Sequence, residues 1–170
     1  AVAATRSSVI GVLATPATLE SARFHALLSR HAGEVRVQMA PCAGLAEHIE
    51  RGDLDSGQTE VLLRGFVEPL LTYGADTIVL GCTHYPLVAH IIQRIAGPGV
   101  SVIENGKAVA QELARQLLVR QWQKATGAGG TMFWASGPIA LAEQLFGRHW
   151  AQGVRVSALP EPAGASETAA

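Results

Sequence analysis

A run of five residues, Asp76-Thr77-Ile78-Val79-Leu80, leaves this chain few folds to choose from. Past its first residue it is β-branched and almost wholly apolar, so it has no polar face to turn to water. A strand of that kind is buried on both sides, the position of a central strand in a parallel sheet with helices on its faces. It passes directly into Gly81-Cys82-Thr83-His84-Tyr85-Pro86. Pro86 suits the first turn of a following helix, whose stripe of Leu87, Val88, Ile91, Ile92 and Ile95 ends at Gly97-Pro98-Gly99.

The rest of the chain repeats this alternation, the sequence form of βαβ units. A strand over 9–13 precedes a helix capped by Thr18 and stopped at Gly33. A second strand over 35–39 alternates Val35 and Val37 with Arg36 and Gln38, and ends at Pro41-Cys42-Ala43-Gly44-Leu45. Helices follow over 45–50 and 58–72, closed by Gly52 and Gly74. Beyond the central strand the pattern predicts a strand over 100–103 and a helix over 108–122. A glycine-rich joint at 127–130 leads to a strand at 132–135, a helix at 138–146 and a strand at 154–157. The tail 158–170 has too little apolar area to offset its ordering entropy and is expected to be disordered. The fold class is therefore α/β with a parallel sheet.

Composition removes several function classes. Of 170 residues, 48% are hydrophobic and 16% charged, against a usual charged share of about 25%, so the chain buries a sizeable core. Thirteen Lys and Arg offset fourteen Asp and Glu, which leaves no basic footprint for nucleic acid or anionic lipid. No apolar run reaches membrane-spanning length and no signal pattern opens the chain. The reading is a soluble, cytoplasmic protein with no nucleic acid and no membrane among its partners. The opening Ala1-Val2-Ala3-Ala4-Thr5, without Met, reads as a start partway through a longer protein.

In open α/β sheets, ligands bind outside the carboxyl ends of the strands. Two loops there carry the only cysteines, Cys42 and Cys82. Gly81 allows a sharp turn, and Cys82 stands where a helix is predicted to begin. The helix dipole and the nearby His84 favour a thiolate there, and Thr83 adds a hydroxyl at a helix start suited to a carboxylate. A cysteine is equally at home in a core as a small hydrophobe, and Pro41-Cys42 is most simply packing. His25, His31, His48, His90 and His149 lie in or beside helices, where a solvated face is the default. No Cys/His spacing suits a metal.

Leu80-Gly81-Cys82-Thr83-His84-Tyr85-Pro86-Leu87 resembles the second active-site motif of glutamate racemases and, more broadly, of the cofactor-independent aspartate/glutamate racemase superfamily. Gly11-Val12-Leu13-Ala14-Thr15-Pro16-Ala17-Thr18, Pro41-Cys42-Ala43-Gly44-Leu45, Glu50-Arg51-Gly52 and Gly74-Ala75-Asp76-Thr77 follow the same family's order. The likeness implies racemisation of glutamate by two cysteines, one on each face of the α-carbon, with neither pyridoxal phosphate nor metal, to supply D-glutamate for peptidoglycan. It makes Cys82 the second catalytic thiol, His84 its catalytic assistant, and Thr83 and His84 substrate-binding residues. Glu50 becomes a supporting carboxylate, although a carboxylate at a helix end is also simply solvated. The family's cysteine at the position of Cys42 is not the catalytic partner.

The resemblance also implies two α/β lobes facing each other across the substrate. Residues 9–97 would be the second lobe and 99–157 a segment returning to the first. The family's Asp-Ser-Gly loop, Tyr-Gly pair and Asn-Thr stretch with the first catalytic cysteine are absent here, and Glu104-Asn105-Gly106 stands where Asp-Ser-Gly is usual. The expected partner is thus the missing N-terminal lobe, with a homodimer as the family's common assembly. The chain alone is expected to be incomplete for catalysis. Two other readings stay open: a relative acting on aspartate or a hydantoin, or a decarboxylase of the same superfamily; and a non-enzymatic ligand-binding module in which Cys82 is core.

Overall fold

A computed structural model describes residues 1–123, 129–150 and 153–160. The chain divides into two compact units, Ala1–Gln123 and Lys124–Ala170. Residues 161–170, most of the expected tail, and 127–128, half of the glycine-rich joint, lie outside the described residues.

The first unit is a four-stranded parallel sheet of β1 (Val9–Ala14), β2 (Arg36–Pro41), β3 (Thr77–Leu80) and β4 (Ser101–Glu104) in the order β2-β1-β3-β4. The chain first builds outward from β1 to β2, then returns to pair β3 against the other side of β1. That reversal opens a crevice outside the carboxyl ends of β1 and β3, the switch point where open α/β sheets take their ligands. The run at 76–80 is the central strand its composition requires: Thr77, Ile78 and Leu80 are buried.

One face of the sheet carries the main core. Leu13, Ile78 and Leu80 pack there with Leu63, Val67 and Leu70 of α4 (Gly57–Thr72) and Ile91 and Ile92 of α5 (Ala89–Ala96). Gly11 accommodates this contact, because an added Cβ would lie 2.7 Å from Leu70 Cδ1. On the other face Ile10, Val12, Ala14 and Leu19 form a smaller cluster with Phe24, Val37 and Val79, beside an apolar cavity of about 590 Å³.

The helical segment after β1 differs from the expected single helix. Thr15 caps α1 (Pro16–Glu20), and Ser21 ends it and caps α2 (Ala22–His31) by accepting from the Phe24 N–H. A hydroxyl that satisfies the orphan amides of a new helix competes with continuing the old one. In the second unit, β5 (Phe133–Ala135) pairs in parallel with β6 (Val156–Ala158), and α7 (Ile139–His149) packs on β6. Phe133 meets Phe146 and Trp150 at 5.6 and 5.4 Å between ring centroids.

The start of β3 is tied to the start of the chain. Asp76 accepts from the Thr5 hydroxyl at 2.6 Å and from the Arg6 and Ser7 amides at 2.7 and 2.8 Å. The Thr5 hydrogen bond, followed by those two amides, holds the carboxyl far below the ordinary carboxylate range. A carboxyl depressed in the folded state contributes stability above its unfolded value of about 3.9 and loses it as pH falls toward the folded value. Asp76→Asn is therefore expected to lower stability at pH 7 by about 1.5 kcal/mol. Urea titrations at pH 7 and pH 3 check this, the difference narrowing at the lower pH.

Candidate active site at the switch point

The loop after β3 is set by close backbone approach. The Gly81 N–H donates to Leu13 O at 2.7 Å, and a Cβ at Gly81 would meet Ala14 Cβ at 3.0 Å and Leu13 O at 3.1 Å. A side chain there would push β3 away from β1, so glycine delivers Cys82 close to the crevice. The Tyr85 N–H donates to Cys82 O at 3.3 Å. The chain then forms a 3₁₀ turn over Tyr85–Val88, and α5 starts only at Ala89, after Val88 at φ −116°. Cys82 thus does not stand at an α-helix N-terminus as expected.

The side chains of Cys82, His84 and Glu50 form a line. His84 Nδ1 lies 3.6 Å from Cys82 Sγ, and His84 Nε2 lies 2.8 Å from Glu50 Oε1. Glu50 ends α3 (Leu45–Glu50), the short helix after β2. A carboxylate only accepts, so Nε2 carries a hydrogen, and in the neutral ring the Nδ1 lone pair then faces the thiol. A proton can pass from Sγ to Nδ1, and the resulting imidazolium is stabilised by Glu50, the logic by which a base oriented by a third group activates a nucleophile. The His84 side chain is 33% exposed and that of Glu50 58%, so both groups reach solvent and water screens the pair. Thr83 is exposed beside it.

Cys42 has different surroundings. It is 1% exposed, donates to Ala40 O at 3.3 Å, and its carbonyl accepts from the Tyr85 hydroxyl at 3.4 Å. Burial pushes its thiol up to about 12, so it stays protonated and packs as the sequence suggests. Both cysteines are free. Gly44, at φ +75°, turns the chain from Cys42 into α3 and so delivers Glu50 to the site. Among the described residues no group of three or more His, Cys, Asp and Glu could hold a metal ion, and no helix is long and apolar enough to cross a membrane.

The histidines divide. His25, His31 and His90 are exposed, and His90 meets Asp55 at 2.7 Å. The His149 side chain lies outside the described residues. His48, expected on a solvated face, is instead buried at 6% exposure with Nε2 2.7 Å from Thr59 Oγ1. Its helix is too short for apolar period to reveal which face turns inward.

Comparison with known proteins places the chain among relatives. The profile of the Asp/Glu/Hydantoin racemase family matches residues 1–113. The glutamate racemase of Pseudomonas entomophila (strain L48) is 46% identical over 160 residues, covering 94% of this chain and 60% of that protein. The glutamate racemase of Ectopseudomonas mendocina (strain ymp) is 50% identical over 139 residues, 82% of this chain and 53% of that protein. Among solved structures, the glutamate racemase isoform RacE1 from Bacillus anthracis superposes with a TM-score of 0.86 at 25% identity, covering 95% of this chain and 61% of that one. Escherichia coli glutamate racemase, solved with L-glutamate and the activator UDP-MurNAc-ala, gives 0.74 at 25% identity, covering 92% and 59%. The chain therefore spans little more than half to three-fifths of the relatives it matches.

Proposed function

The chain belongs to the Asp/Glu/hydantoin racemase family, and from that premise we propose that it forms one wall of a glutamate racemase site in which Cys82 is one of two proton-transferring thiols. Inverting an α-carbon requires that its proton leave from one face and a proton return on the other, so two acid–base groups must flank it. Cys82 serves one face. As thiolate it takes the α-proton, becoming S–H, while the electron pair left on carbon is drawn into the adjacent carboxylate. The opposite thiol then delivers its proton to carbon. In the reverse direction Cys82 is the donor. His84 holds the Cys82 proton between turnovers and Glu50 steadies the imidazolium, while Thr83 and His84 bind the substrate beside Cys82. This chemistry calls on neither pyridoxal phosphate nor metal.

The single observation that carries this reading is the Cys82–His84–Glu50 line at the β1/β3 crevice. The second thiol is assigned to a separate lobe, since Cys42 is buried and protonated. Two facts support a lobe beyond this chain. The curated relatives are longer, and α6 (Gly106–Val119) buries none of its residues. Val109, Leu113 and Leu118 of α6 and the following Trp122 are 57–69% exposed, an apolar stripe of the kind that marks a protein contact. In the cell the product, D-glutamate, would be made in the cytoplasm for peptidoglycan.

Proton NMR of L-glutamate in D₂O tests the proposal. The α-proton signal is expected to persist with this chain alone and to decay once the complementary N-terminal lobe of a relative such as the P. entomophila enzyme is supplied. Persistence with both lobes present, or faster exchange of aspartate than of glutamate, would overturn it.

A further inference from the structure

We propose that His48 is a positioning residue that sets the roll of α3, so that Glu50 meets His84; this rests on the relay reading above. The helix holds only six residues and starts at Gly44 with no side-chain cap bond, too short to stand without tertiary support. Leu45 and Ile49 are buried at 0% and 1% exposure and set which face turns inward, but apolar contact is non-directional and fixes the roll less sharply than a hydrogen bond. His48 supplies the direction.

Counting hydrogens fixes its state. The Thr59 hydroxyl donates its one hydrogen to the Asp53 carbonyl at 2.7 Å, so toward His48 Nε2 at 2.7 Å it can only accept. On the other side the Arg51 guanidinium, which only donates, lies 3.3 Å from His48 Nδ1. Both partners accept one arrangement, the neutral ring with its hydrogen on Nε2. The ring thereby links α3 to the start of α4, where Thr59 is 0% exposed and its amide is capped by Ser56. His48 and Glu50 are two positions apart, about 200° around the helix. The inward anchor at His48 therefore aims Glu50 in nearly the opposite direction, toward the loop after β3.

Iodoacetamide alkylation of Cys82, run on the chain as it stands at neutral pH, reads the effect because the thiolate is the reacting species. His48→Leu keeps the buried volume but removes both hydrogen bonds, and is expected to slow alkylation by roughly three- to tenfold. His48→Gln, which retains an N–H for Thr59, should recover most of that loss. In a Glu50→Gln background His48→Leu should change nothing further, as a residue acting through Glu50 must. Thr59→Val, which removes the acceptor, should repeat the pattern should His48→Leu fail to fold. Equal slowing in both backgrounds, or none in either, overturns the proposal. If Glu50→Gln itself leaves the rate unchanged, the relay falls and this proposal with it. If Glu50→Gln slows alkylation and the folded His48 and Thr59 variants do not, only the positioning role falls.

Discussion

Cys82→Ser in the reconstituted two-lobed protein is expected to lower turnover of glutamate by about 10³-fold, within the range removed with an acid–base catalyst. A serine hydroxyl occupies nearly the same space but does not ionise at neutral pH, so it can neither take the α-proton from one isomer nor share a proton with His84 in either direction. The fold should be indifferent. Cys82 is half-buried at the margin of the main core rather than inside it, and the turn that carries it is held by Gly81 and Tyr85 amides. Steady-state rates in both directions and a urea midpoint check the two halves of this expectation. A fall in rate that tracks a fall in stability would count against a chemical role.

His84→Ala is expected to cost about 10²-fold in kcat, the lower end of the range for acid–base assistance, with a smaller change in KM. The imidazole acts through the thiol, 3.6 Å away, so its loss leaves the reacting sulfur in place but removes the group that holds its proton. Glu50→Gln should cost less than His84→Ala, since Glu50 acts one step further back and its side chain is 58% exposed. The double variant should be no worse than His84→Ala alone, because a carboxylate that works through the ring has no role once the ring is gone. Additive losses would place Glu50 outside the relay. The check is kcat and KM for the three variants in the two-lobed protein.

Much of the sheet is legible in the sequence because its strands are short apolar runs punctuated by glycine and proline. Past Asp76 the run to Leu80 has no face rich in polar groups, the pattern of a central parallel strand. The helix after β1 is harder, since Ser21 sits in continuous helical spacing and only its hydroxyl, acting as a cap, divides the segment. The 3₁₀ turn at Tyr85–Val88 reads as the first turn of a helix, because Pro86 and the apolar stripe are compatible with both. In the site, Cys82 and His84 share one loop and are visible together. Glu50 lies 34 residues before His84, and no spacing rule joins them; only resemblance to a family singles it out. His48 carries no signal at all, since its partner Thr59 lies 11 residues on in a different helix.

The relay is tested at its source by the rate at which iodoacetamide modifies each cysteine of this chain at neutral pH, followed by peptide mass spectrometry. Cys82 is expected to react first, and His84→Ala and Glu50→Gln to slow it. Cys42, buried and with its thiol pushed up to about 12, should be spared until the chain unfolds. Modification of Cys82 no faster than that of Cys42, or indifferent to His84, would mean that the thiol is not poised and that the line from Glu50 to Cys82 moves no proton.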